Sequence, residues 1–205
     1  MLVVAFLITL LKLFKNGKQA GYIILIIYTS ISVFIYIIQE LLSAGIFEKN
    51  MFTWFLVLLF VVIHTLLLSL YQVIYVFQKK FIFQIIFIAG LITLIIFTLF
   101  DFLNNNYYCV TFSNLFLIGM SLFSYKEFLK IKEPIALNKN HSFIVVNGIF
   151  YSSCLSLPIY IFGNLIRGSI SSNAYYYVSI VSPLSSIILY YMIIRSVLCI
   201  RTIKQ

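Results

Sequence analysis

Apolar residues run along the chain in seven blocks, each bounded by a few polar or charged positions. Six blocks, at 20–44, 52–77, 81–103, 107–125, 143–166 and 174–196, are as long as the roughly 20 residues that a helix needs to cross hydrocarbon. The first, "MLVVAFLITLLKLF" at 1–14, is shorter. At a rise of about 1.5 Å per residue it reaches about 21 Å, against a hydrocarbon core of about 30 Å. It spans if the bilayer thins and Lys12 and Lys15 snorkel to the interface; otherwise it lies in the interface. The pattern predicts an all-α, polytopic membrane protein of about seven transmembrane helices. The connections are short, so residues 1–205 read as a single helical domain with antiparallel neighbours.

Polar residues interrupt the sixth block repeatedly. The stretch "SFIVVNGIFYSSCLSLPIYIFGNLIRG" at 142–168 carries groups that lipid does not satisfy. Gly148, Ser152 and Ser156 recur every four residues, and Ser179, Ser182 and Ser186 form a similar stripe in the seventh block. Hydrocarbon offers no hydrophobic drive between helices, so close packing of small residues takes its place. The two stripes are expected to pack the sixth helix on the seventh. Pro158 and Pro183 are expected to act as hinges, bending these helices and freeing backbone carbonyls locally.

Composition gives the same picture. Hydrophobic residues make up 63% of the chain and charged residues 9%, against roughly 25% charged in a soluble domain. The net charge of +9 is distributed by topology. All basic residues except Lys49 and Arg167 fall in alternate connections or the C-terminal tail. By the positive-inside rule those segments are cytoplasmic, which places the C-terminus inside and, if the first block spans, the N-terminus outside. No nucleic acid partner is expected, because the basic residues have no soluble scaffold to carry them into a groove. Lys126, Lys130, Lys132, Lys139 and Arg201 form the expected cytoplasmic basic face. Cys109, Cys154 and Cys199 show no metal-ligand spacing, and no cleavable signal peptide is evident.

Much of the remaining polarity gathers at the opposite, outer end. Glu40, His64, Asn114, Tyr160, Asn164 and Tyr175 are the candidate lining of an outward-facing cavity. Glu40 reads either as a ligand, cation or proton site or as a carboxylate wetted near the headgroups. His64 reads either as an interhelical hydrogen-bonding group or as a ligand contact. Asn114 and Asn164 also read as interhelical contacts. Asp101 reads as a solvated helix end. HExxH, GxSxG and phosphate-loop motifs are absent, as are paired carboxylates for acid–base work. No enzymatic activity, metal or cofactor is expected.

The chain resembles small, stand-alone bacterial seven-helix proteins that are similar to the membrane sensory modules of signalling kinases. The resemblance rests on "YTSISVFIYIIQELL" at 28–42, "KEFLKIKEP" at 126–134, "SFIVVNGIFY" at 142–151 and "LYYMIIRSVLCIRTIK" at 189–204. It implies an inner-membrane sensor or accessory regulator, acting through a membrane or cytoplasmic protein partner and taking a small-molecule or lipid ligand. Two alternatives stay open. One is a small solute-transport or substrate-capture subunit, and the other is a structural or immunity-type subunit.

Overall fold

The computed structural model describes residues 1–16, 20–43, 51–77, 80–104, 108–130, 140–166 and 172–199. Side chains are described over a narrower set, which leaves out 12–22, 39–54, 103–107 and 162–182. The described residues form seven helices and no strand. These are α1 (Leu2–Asn16), α2 (Ala20–Ser43), α3 (Met51–Tyr75), α4 (Phe81–Asn104), α5 (Tyr108–Phe128), α6 (His141–Ile166) and α7 (Ser172–Cys199). Each falls on one apolar block, with ends displaced by up to three residues. The prolines stop neither helix: Pro158 lies inside α6 and Pro183 inside α7.

Among the described residues, four helices are long and apolar enough to cross a bilayer, at Phe55–Tyr75, Phe81–Phe102, Tyr108–Phe128 and His141–Ile161. Large apolar side chains also cover the outside. On α4 alone Ile82, Ile88, Ile92, Ile96 and Leu99 are exposed. An apolar exterior of this extent marks a membrane protein, since soluble surfaces rarely expose such patches.

Helix contacts define a ring. α1 packs on α2, α2 on α3, α3 on α5, α5 on α6, α6 on α7, and α7 returns to α1. α4 stands outside the ring, against α3 and α5. Side-chain pairs fix the register. On α3 and α5, Thr65 meets Ser113, Gln72 meets Ser121 and Lys80 meets Glu127 just beyond α3. The sequence offsets are 48, 49 and 47. A nearly constant offset is the signature of two parallel helices, and α4 is the return segment that allows it. On α5 and α6, Asn114 pairs with Ser156 and Tyr125 with Asn147. There the partner number falls as the first rises, so these helices are antiparallel.

Helix starts are capped by carboxamide and carboxylate oxygens. Asn140 Oδ1 accepts the Ser142 and Phe143 N–H groups at 3.0 and 3.2 Å, an N-cap for α6. α5 is capped from another helix, where Asp101 Oδ2 on α4 accepts the Cys109 N–H at 2.6 Å. Asp101 is fully buried, which corrects the expectation of a solvated helix end. The positive end of the α5 dipole and its unpaired N–H groups hold the carboxylate in place of water.

An apolar core fills the half of the ring nearest the basic end. Leu25 on α2, Leu68 and Tyr71 on α3, Leu117 on α5, Val145 and Ile149 on α6, and Ile193 and Val197 on α7 meet there. Farther from the basic end, Leu58 on α3, Leu94 on α4, and Cys109 and Val110 on α5 form a second, smaller apolar cluster.

Candidate ligand cavity

Inside the ring, beyond the larger apolar core, lies a cavity of about 700 Å³. This lies within the usual range of roughly 300–1,000 Å³ for small-molecule sites. Its walls come from all six ring helices and from no described residue of α4. They are built from the first turns of α1 and α5 and the middle turns of α2, α3, α6 and α7, so the cavity lies near mid-depth, on the side of the core away from the basic connections.

Three of the six candidate cavity residues line it, namely His64, Asn114 and Tyr160. The side chains of Glu40, Asn164 and Tyr175 lie outside the described residues. The cavity also takes in Ser152, Ser156, Ser186 and Pro183, which the sequence pattern places in packing and hinge roles. Sequence reasoning missed Tyr28, Ser32, Tyr36, Phe60, Ser113 and Tyr190, all of which line it. A helical-wheel comparison of α2 and α3 would have grouped Tyr28, Ser32, Ile35 and Tyr36, spaced at three and four residues.

The serine stripe of α6 serves two neighbours. A Cβ on Gly148 would fall 2.7 Å from the Met192 Cβ, so here α6 lies close against α7. Ser156 instead donates to Asn114 Oδ1 on α5 at 2.7 Å. An α-helix advances about 100° per residue, so eight residues turn a fourfold stripe by about 80°. That rotation carries it from the α7 face to the α5 face. Ser179 and Ser182 lie outside the described side chains, and Ser186 is exposed at the cavity wall.

Several serine protons in the wall are committed to neighbouring oxygens. Ser32 donates to the Tyr28 carbonyl at 2.8 Å and Ser152 to the Ile149 carbonyl at 3.1 Å. Thr65 donates to the Val61 carbonyl at 2.7 Å, so its contact with Ser113 at 2.5 Å takes the proton of Ser113. A hydroxyl has one proton and two lone pairs, so these serines offer the cavity acceptors. Asn114 differs, its Nδ2 giving one of two protons to the Val110 carbonyl at 2.9 Å while its Oδ1 accepts from Ser156.

Aromatic rings make up another part of the wall. Phe60 and His64 have centroids 5.7 Å apart, His64 and Tyr28 5.3 Å, and Tyr28 and Tyr190 6.2 Å. His64 Nδ1 is buried without a hydrogen-bond partner among the described residues. An unsatisfied polar atom of this kind costs about 1–3 kcal/mol. Tyr36 on α2 and Pro183, Ser186 and Ile187 on α7 are both exposed and part of the wall. With Met1 and Val3 at the start of α1, which packs between these two helices, they border an opening.

At the other end Lys126 is exposed, and Lys130 and Lys80 pair with Glu127 at 2.6 and 2.5 Å. Lys132, Lys139 and Arg201 lie outside the described residues. No group of His, Cys, Asp and Glu able to hold a metal occurs among the described residues. No protein-family model, curated protein or solved structure matches the chain.

Proposed function

We propose that the protein is a seven-span sensor or accessory regulator of the bacterial inner membrane. Its cavity faces outward, and its C-terminus and basic connections lie in the cytoplasm. The observation that carries this reading is the cavity inside the ring. Six helices close on an apolar core toward the basic end and surround a cavity of about 700 Å³ beyond it. A ring filled at one end suits a receptor better than an open conduit. Occupancy of the cavity reaches α6 and α7 directly, because Ser152, Ser156, Pro183 and Tyr190 are part of its wall. A shift of these helices would reach a protein partner through the C-terminal tail and the basic connection between α5 and α6.

The test is native mass spectrometry of the protein extracted gently from its own membrane. The expected result is a bound small molecule together with a stoichiometric protein partner. A partner with no small molecule, and with no effect of His64→Ala on partner binding, refutes the sensor and favours a structural subunit. A small molecule that the reconstituted protein moves across vesicles refutes it in favour of transport.

A further inference from the structure

We propose that the cavity takes an organic ammonium ligand, a cation with an apolar body of small-molecule size. This rests on the ligand-cavity reading above and goes further by naming the charge of the ligand. Two independent features of the wall favour positive charge. The first is its rings. Phe60, His64, Tyr28 and Tyr190 form a contiguous arc with successive centroids 5.3 to 6.2 Å apart, and Tyr36 and Tyr160 add two more rings. Aromatic faces carry the negative part of the ring quadrupole and attract cations within about 6 Å. The second is the set of acceptor hydroxyls. With their protons held by neighbouring oxygens, Ser32, Ser113 and Ser152 keep lone pairs as acceptors in the wall, and lone pairs accept the N–H groups of an ammonium. A carboxylate or phosphate would meet both features with the wrong sign. Among the described residues, no lysine or arginine side chain lines the cavity to offset this. The opening that Tyr36 and Ile187 border is apolar enough to admit the body of such a molecule.

Three probes of one skeleton and different charge decide the matter: phenethylammonium, 2-phenylethanol and phenylacetate. Binding of each is measured calorimetrically on the full chain in phosphatidylcholine nanodiscs, with empty nanodiscs as the blank. The ammonium is expected to bind at least tenfold more tightly than the alcohol, and phenylacetate not measurably. Tyr28→Phe, which keeps the ring, should hold ammonium affinity within about threefold, whereas Tyr28→Leu should lower it at least fivefold. Equal or tighter binding of the alcohol or of phenylacetate overturns the cationic assignment and leaves the cavity reading in place. Ammonium binding indifferent to loss of the ring at Tyr28 also overturns it. If none of the three binds, the ammonium inference fails, while the cavity reading stands or falls separately on the mass measurement.

Discussion

Gly148→Ala adds one methyl group where α6 meets α7, and the structure gives the size of the collision. The new Cβ would lie 2.7 Å from Met192 Cβ, 3.3 Å from Met192 Cγ and 3.4 Å from Leu189 Cδ1. Carbon atoms rest at about 3.5–4.0 Å, so the nearest pair must part by about 1 Å. The obstacle is a Cβ, fixed to the α7 backbone, and no rotamer change moves it. Overpacking of this kind costs about 1–3 kcal/mol. Replacing a helical glycine returns up to about 1 kcal/mol, so the net loss is about 1–2 kcal/mol. At about 2–4 °C per kcal/mol for a chain of this size, Gly148→Ala should melt about 2–8 °C below the parent in mild detergent. Gly119→Ala is the control, with the same change in propensity and no atom within 4 Å of the added carbon; it should melt at or above the parent. Combining Gly148→Ala with Met192→Gly should recover part of the loss, and combining it with Met192→Ala, which keeps the offending Cβ, should recover less. If Gly148→Ala and Gly119→Ala melt alike, the close approach of α6 and α7 is refuted.

Three further outcomes follow from the polar contacts. Asp101→Ala removes the cap of α5 and should cost about 0.5–2 kcal/mol, with faster amide hydrogen exchange at Cys109; unchanged exchange there would exclude the capping role. Asn114→Ala and Ser156→Ala should be non-additive by about 0.6 kcal/mol, the usual worth of an interhelical hydrogen bond in a membrane protein, and strict additivity in the double-mutant cycle would show that the pair does not couple. Lys80→Ala breaks a pair whose lysine is half exposed and should shift melting by less than about 2 °C, vanishing in high salt; a large, salt-independent shift would contradict that exposure.

The number and order of helices were legible in the hydrophobic blocks because a 20-residue apolar run has few other uses. Their ends were less so, since polar residues continue a helix as readily as they stop one. α5 runs on through Lys126 and Glu127, and α7 starts with Ser172 and Asn173 ahead of its block. The cavity was legible in part. His64, Asn114 and Tyr160 stood out as polar groups in apolar blocks, whereas Phe60 and Tyr190 did not, because an aromatic residue in a membrane helix carries no mark of the face it will take. Nor does a stripe name its neighbour. The α6 stripe read as one surface, and only the rotation of the helix across two partners separates Gly148 from Ser156. Asp101 was misread for a related reason. At the end of an apolar block a carboxylate suggests water, and the α5 start that buries it is not visible from α4 alone.

The parallel pairing of α3 and α5 also has a consequence for synthesis. Gln72 is fully buried and its partner Ser121 lies 49 residues downstream. At about 5–20 residues per second, α3 waits about 2–10 s before α5 exists. Through that interval the amide of Gln72 has no partner on α5, and an unsatisfied polar group in hydrocarbon costs several kcal/mol. Gln72→Leu would remove that waiting cost while deleting a hydrogen bond from the finished bundle. The yield of inserted protein and the stability of what is inserted would then move in opposite directions.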